Sequence, residues 1–432
     1  MPTRRPATPR ERPGGRVAAD IAALALLATL ACRAPAVPDV GPSQLLAVPA
    51  GPDALAPSLA AVPGGGVLVA WTVREDTAGG VRYARLADTT FGPVRTVVRG
   101  APLFVNWADF ASVLPLGGDT VVAHWLTRTG DGPFAYGVQL ARSADDGVTW
   151  QPAGRLHDDA SAVEHGFVSL WREPGGGVGT AWLDGRATAS AVGVPPEGHG
   201  AHAAHDAAGP AMTVRARRVR PDGSADAEAV VDPRSCDCCQ TAATPVGEGT
   251  LLAWRDRSAT EVRDIVVARH TAAGWSPPAL VHADGWVTKA CPVNGPALAS
   301  RGDSVVIAWY TQARDTAKVL VAFSTDGGRS FGPPTRADDG APIGRVGVVR
   351  DDAGHAVVSW HEATSRDSAD LVVRRVTADG RRSAGRRIAR LSATRRAGVS
   401  RMVRDGRTIV LAWTVAGDHP TVAAARAPLV AP

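Results

Sequence analysis

Four of the five cysteines could do chemistry together. Three stand almost side by side as Cys236-Asp237-Cys238-Cys239, and Cys291 follows about one structural repeat later. Four thiols can close two disulfides in three connectivities, and so close a spacing forces at least one local or vicinal bond if all pair. The same four sulfurs could instead hold a soft metal, zinc or Cu(I), or exchange electrons. The spacing leaves all three open.

A second set combines acids, bases and guanidiniums. It comprises Trp107 and Asp109 in Phe104-Val105-Asn106-Trp107-Ala108-Asp109-Phe110, then Glu164-His165, Asp184-Gly185-Arg186, Arg255-Asp256-Arg257, Asn294 and His361-Glu362. Asp109, Glu164, Asp184, Asp256 and Glu362 form a pool from which a general acid and a base could come. Retaining glycoside cleavage needs two carboxylates about 5 Å apart, inverting cleavage about 6.5–9.5 Å. Arg186, Arg255 and Arg257 would hold an anionic sugar group, with Trp107, His165, Asn294 and His361 as further ligand contacts. A His-, Gly- and Ala-rich insertion over 187–211 carries His199, His202, His205 and Asp206, which reads first as a disordered low-complexity loop and otherwise as a lid or a metal-recruiting segment.

These residues need a scaffold, and the chain has a periodic one. Seven apolar runs end in tryptophan, at Trp71, Trp125, Trp182, Trp254, Trp309, Trp360 and Trp413, with successive spacings of 54, 57, 72, 55, 51 and 53 residues. Repeats of roughly 40–55 residues, with short strands bounded by Gly, Pro and Asp, predict an all-β, seven-bladed β-propeller of four-stranded antiparallel blades. A six-bladed ring with one irregular unit is the alternative. The last unit lacks a fourth strand, and Gln44-Leu45-Leu46-Ala47-Val48 has no unit of its own. Pairing the two would close the ring and remove two open edges. In this register the candidate residues leave strand two or precede strand one of successive blades. They would therefore gather at one mouth of the ring, the four thiols among them.

Composition bounds the rest. Residues 1–32 carry five arginines, then an apolar run too short to span a bilayer, ending Leu30-Ala31-Cys32. This predicts an export signal of lipoprotein type with Cys32 lipidated, a linker over 33–42 and a propeller over 43–428. The protein would then sit in the periplasm or outer envelope, meeting a membrane only through that lipid, and otherwise be secreted. The whole chain is +5. The leader holds a net +3 of that, and scattered basic residues on a nearly neutral body argue against nucleic-acid binding. A monomer with a glycan ligand is the expected state.

Two segments are more specific than the period. Ser143-Ala144-Asp145-Asp146-Gly147-Val148-Thr149-Trp150 and Ser324-Thr325-Asp326-Gly327-Gly328-Arg329-Ser330-Phe331 both fit S-x-D-x-G-x-[ST]-[WF]. In them Ser and Asp can bond the turn backbone and Gly permits positive φ. On these residues the chain resembles the sialidase-like, Asp-box (BNR-repeat) β-propellers. The resemblance implies an exported carbohydrate-active or glycan-binding propeller, in the manner of an exo-sialidase-like glycoside hydrolase. The Arg-Ile-Pro segment that such sialidases carry is absent, so hydrolysis of ordinary sialosides is not expected. Of Tyr83, Tyr136 and Tyr310, the last follows a Trp strand and is the one expected to reach the active face. A non-enzymatic envelope protein with a structural or metal-binding cysteine cluster is the other reading.

Overall fold

In the computed structural model each Trp-ended run is the second strand of an antiparallel blade. Residues 1–3, 36–75, 78–191, 210–247 and 249–430 are described. The apolar leader with Cys32 lies outside them, as do residues 192–209 of the insertion with their three histidines. Among the described residues no helix is long and apolar enough to cross a membrane.

The unit from Val37 onward holds seven sheets. Their inner strands are Ala54–Ala61, Ser112–Gly117, His165–Arg172, Ala242–Val246, Ala297–Arg301, Pro342–Arg350 and Arg401–Asp405, which open blades 1 to 7 in chain order. Blade 7 takes its fourth strand from the other end of the chain: Gln44–Leu46 pairs antiparallel with Thr421–Pro428, Gln44 opposite Arg426 and Leu46 opposite Ala424. The closure begins earlier than the expected linker boundary, because Val40 bridges Leu429 and Gly41 N–H donates to the Pro428 carbonyl at 2.9 Å. Seven blades, not six, make the ring.

The core is divided by interface. One apolar layer joins each pair of neighbouring blades, as where Val246, Leu251 and Ile265 of blade 4 meet Val305, Ile307 and Trp309 of blade 5. Trp71, Trp182, Trp254, Trp309 and Trp360 are fully buried in such layers. Four of these five indole N–H groups find a carboxylate partner, and that of Trp71 has none among the described residues. Trp182 donates to Asp184 at 2.9 Å, Trp254 to Asp232 at 2.7 Å, Trp309 to Asp284 at 2.7 Å and Trp360 to Glu362 at 2.6 Å.

The two S-x-D-x-G segments form the same clasp between third and fourth strands. Asp145 accepts from the Ser143 hydroxyl at 2.7 Å and from Thr149 N–H at 2.9 Å, while Ser143 accepts from Gly147 N–H at 2.8 Å. Asp326, Ser330, Ser324 and Gly328 repeat the pattern. Asp146 N–H donates to Asp119 and Gly327 N–H to Asp303, which joins each clasp to the turn after an inner strand. The clasps and those turns thus share one face. The loops that enter inner strands open on the other.

Candidate functional site

The loop over 104–110 lies across the mouth. Phe110 packs against Leu55 and Ala56 of blade 1 and Val399 before blade 7. The Ala108 carbonyl accepts from Gln240 Nε2, before blade 4, at 2.7 Å. Trp107 sits under guanidiniums from blade 6, Arg345 at 5.4 Å and Arg395 at 5.7 Å from its ring centre. One loop before blade 2 therefore reaches blades 1, 3, 4 and 6 and the loop entering blade 7, and so plugs the mouth.

Asp109 hangs from that plug toward blade 3. Tyr136 Oη lies 2.8 Å from Asp109 Oδ2 and 2.8 Å from Glu164 Oε1. Gly166 makes room, since a Cβ there would meet Asp109 Oδ2 at 1.8 Å. A phenol has one proton to donate and an ionised carboxylate has none. For both contacts to be hydrogen bonds, one carboxyl must itself be protonated. Burial agrees: it raises Asp109 to about 7 and Glu164 to about 8, against the opposing hydrogen bonds from Phe167 N–H and Tyr136 respectively. Tyr136 is fully buried, stacked on Phe104 with ring centres 3.9 Å apart, and Glu164 is the member that solvent reaches. Oxygens sharing one hydroxyl cannot be more than about 6 Å apart, short of the 6.5–9.5 Å of inverting sites.

The other side of the plug is basic. Arg345, φ +55°, sits at a β-bulge where blade 6 slips register between Gly344 and Gly347. Ala56 and Phe167 occupy matching bulges in blades 1 and 3. Such bulges re-aim a side chain at a sheet end. Arg345 turns to the channel, bonding the Thr394 carbonyl at 3.3 Å and His361 Nδ1 at 3.4 Å. Arg401 lies over Phe110 at 4.5 Å. Among the described residues no carboxylate acts on either. Burial, with Arg395 beside it, lowers Arg345 to about 10, and burial alone lowers Arg401 to about 10. A cleft of about 520 Å³ opens here between Trp107, Arg395, Arg396 and Arg74.

The remaining candidates reach the same face but are engaged in holding it together. Asp184 accepts two bonds from Arg186, at 2.7 Å each, and Arg186 also pairs with Glu228 at 2.8 Å. Buried His165 lies 3.0 Å from Asp159 and is stacked on His157. Glu362 accepts from Trp360 and from Ala341 N–H. Asp256, half-buried near Asp232 and Asp264, is raised to about 6 chiefly by burial. Asp184 and Glu362 thus have local partners and Asp256 has its own loop, and none of the three bonds Tyr136.

Two of the candidate arginines, Arg255 and Arg257, are bonded within the fold. Arg255 is buried and donates to the carbonyls of Asn294 at 2.8 Å, Arg263 at 2.6 Å and Tyr310 at 2.7 Å. Buried Arg257 makes a two-pronged bond to Glu261 and reaches Asp237 at 3.1 Å. Asn294 latches blades 5 and 6, donating to the Ile343 carbonyl at 3.1 Å and accepting from Arg345 N–H at 2.6 Å. His361 bonds Ser400 at 3.0 Å, and burial keeps it far below the usual imidazole range. Tyr310, expected at the active face, bonds Gln312 beside Trp286 in a separate cleft of about 540 Å³. Tyr136 and Arg345 take the central places that sequence reasoning did not assign.

The thiols converge as expected. Cys238 and Cys291 form a disulfide between the loops entering blades 4 and 5. Cys236 and Cys239 are free and buried, their sulfurs 3.4 Å apart.

No protein-family model matches the chain, and no curated protein matches it. Solved structures do. An ulvan lyase bound to a glucuronate–sulfated rhamnose polymer aligns over 89% of this chain and 93% of its own, at 10% identity and TM-score 0.51. A protein of unknown function from Dyadobacter fermentans aligns over 92% and 100%, at 12% identity and TM-score 0.50. What is shared is the fold. The NanB sialidase of Streptococcus pneumoniae follows more loosely, at 11% identity and TM-score 0.45 over 84% and 83%.

Proposed function

We propose that this propeller is a carbohydrate-active protein that takes an acidic saccharide at the plugged mouth. The observation that carries the reading is the pair of guanidiniums, Arg345 and Arg401, held over Trp107 and Phe110 with no carboxylate among the described residues acting on them. Buried charge without a counter-charge is costly, and an anionic ligand supplies one. A uronate or sulfate group would sit near Arg345 and Arg395, with a sugar ring in the cleft against Trp107. Glu164, protonated at neutral pH and reached by solvent, is placed to protonate a departing glycosidic oxygen, with Asp109 and Tyr136 sharing the remaining proton. The leader reading adds export and a lipid on Cys32.

Calorimetric titration with uronate-containing, sulfated and neutral oligosaccharides tests this. Acidic ligands should bind and neutral ones should not. Arg345→Met should weaken binding by about 10–100-fold, as loss of a charged hydrogen bond worth about 1.5–3 kcal/mol implies. Equal binding of neutral and acidic ligands would sink the reading. So would an Arg345→Met protein that binds as the parent does.

A further inference from the structure

The thiol cluster lies between blades 3, 4 and 5, and the saccharide reading makes no use of it. We propose that Cys236, Cys238 and Cys239 bind one Cu(I) ion as a buried three-thiolate site, which opens when the Cys238–Cys291 disulfide is reduced.

Geometry supplies the first argument. The three sulfurs all lie within 4.8 Å of one another. Cys236 Sγ is 3.4 Å from Cys239 Sγ and 4.0 Å from Cys238 Sγ. With metal–sulfur bonds of about 2.3 Å, three sulfurs in a plane around one ion stand about 4 Å apart. The cluster is already near that triangle.

Ligand number decides the metal. Among the described residues three sulfurs form the group, while Cys291, half-buried on the neighbouring loop, touches it only through its bond to Cys238, which reduction breaks. The Asp237 carboxylate is turned away to Arg257. Structural zinc takes four ligands in a tetrahedron. Cu(I) is soft, selects thiolates and is complete with three.

Charge and solvent agree. Three thiolates around Cu(I) carry a net charge of two minus. Arg263 Nη1 stands 3.2 Å from Cys236 Sγ, and buried Arg255 lies alongside. Phe167, Met212, Trp254 and Val293 share one buried apolar cluster with the three cysteines, which keeps bulk water from the ion. Opening the site needs a two-electron reductant. A phosphine and water give the phosphine oxide and convert the disulfide to two thiols. Binding then releases three protons as three thiols become thiolates on the metal.

The experiment uses the whole protein, reduced with a phosphine without oxygen and titrated with Cu(I) against a chromogenic chelator. One Cu(I) per chain should be retained, with three sulfurs and no fourth in the X-ray absorption spectrum. Cys236→Ser and Cys239→Ser should each weaken binding at least tenfold. Even groups that only hydrogen-bond a metal ligand cost about 10–100-fold when lost. Cys291→Ser supplies the control that does not rest on those variants folding. It leaves Cys238 unpaired, so it should bind Cu(I) without any reductant and as tightly as the reduced parent. Three results would overturn the proposal: a reduced parent and Cys291→Ser protein that both surrender copper to the chelator, a Cys291→Ser protein that loses affinity, or a spectrum with four sulfurs.

Discussion

Replacing Glu164 by glutamine should make the fold less sensitive to alkali. Glu164 rises from an ordinary 4.5 to about 8 in the fold, chiefly because burial disfavours its charge. A carboxyl that holds its proton more tightly folded than unfolded contributes stability that is complete below about pH 4.5. That contribution drains away as pH climbs to about 8. Each unit is worth about 1.4 kcal/mol, which sets a ceiling of about 4–5 kcal/mol. Glu164 is reached by solvent and shares one proton with Asp109 through Tyr136, so about 2 kcal/mol is the expected loss for this group. Glutamine cannot ionise and can still donate to Tyr136. Urea unfolding of the parent and Glu164→Gln proteins at pH 5 and pH 9 isolates the effect of the coupled trio, because titrations outside Asp109, Tyr136 and Glu164 are common to both. The variant should match the parent or fall about 1 kcal/mol below it at pH 5, where one hydrogen bond is remade less well. At pH 9 it should be the more stable of the two. A difference that is flat with pH, or that turns against the variant as pH rises, would mean Glu164 is ionised and paired in the native state. The shared-proton account of Asp109, Tyr136 and Glu164 would then be wrong.

Two further outcomes follow from closure and from buried arginine. Leu46 is buried against Trp71 and Val410 while Leu45, next to it, is 71% exposed; Leu46→Ala should cost about 2–4 kcal/mol by urea unfolding and Leu45→Ala under about 0.5 kcal/mol. Equal effects would refute the register of the closing strand. Arg255→Met strips a donor from the Arg263, Asn294 and Tyr310 carbonyls and should lower stability by about 3 kcal/mol or more; a stable variant with impaired ligand binding would return Arg255 to the ligand site.

The architecture was legible because one residue type marks each repeat. A tryptophan in an apolar β-run seeks burial, and seven of them, all but one interval 51–57 residues long, leave few topologies other than a ring. The orphan strand at residues 44–48 pointed to the closure for the same reason: an edge needs a partner. The convergence of the thiols also followed from blade register alone. The proton-sharing trio did not. Tyr136 stands 27 residues from Asp109 and 28 from Glu164, and only the path of the loop over 104–110 across the mouth brings them together. Strand alternation says nothing of such a path. One signal was available, in that Tyr136 begins a third strand at the mouth end of its blade. Arg345 had a signal too, because the glycines at 344 and 347 mark a bulge where a regular strand would aim its side chains elsewhere. The carbonyl partners of Arg255 were not legible either, because a guanidinium bound to carbonyls and one awaiting a ligand read alike in sequence.

The closing strand sets an order of events for the molecule's synthesis. Gln44 meets Arg426 across nearly the whole chain, so blade 7 cannot be completed until the last strand has been made. Until then the growing protein is an open arc whose first and last strands both expose unpaired backbone. Contacts this distant in sequence form slowly, since the closure entropy precedes the reward. The arc is therefore the species most exposed to wrong partners. Whatever accompanies the nascent chain has to shield two edges at once, and its task ends in a single step when residues 421–428 and 44–46 find each other.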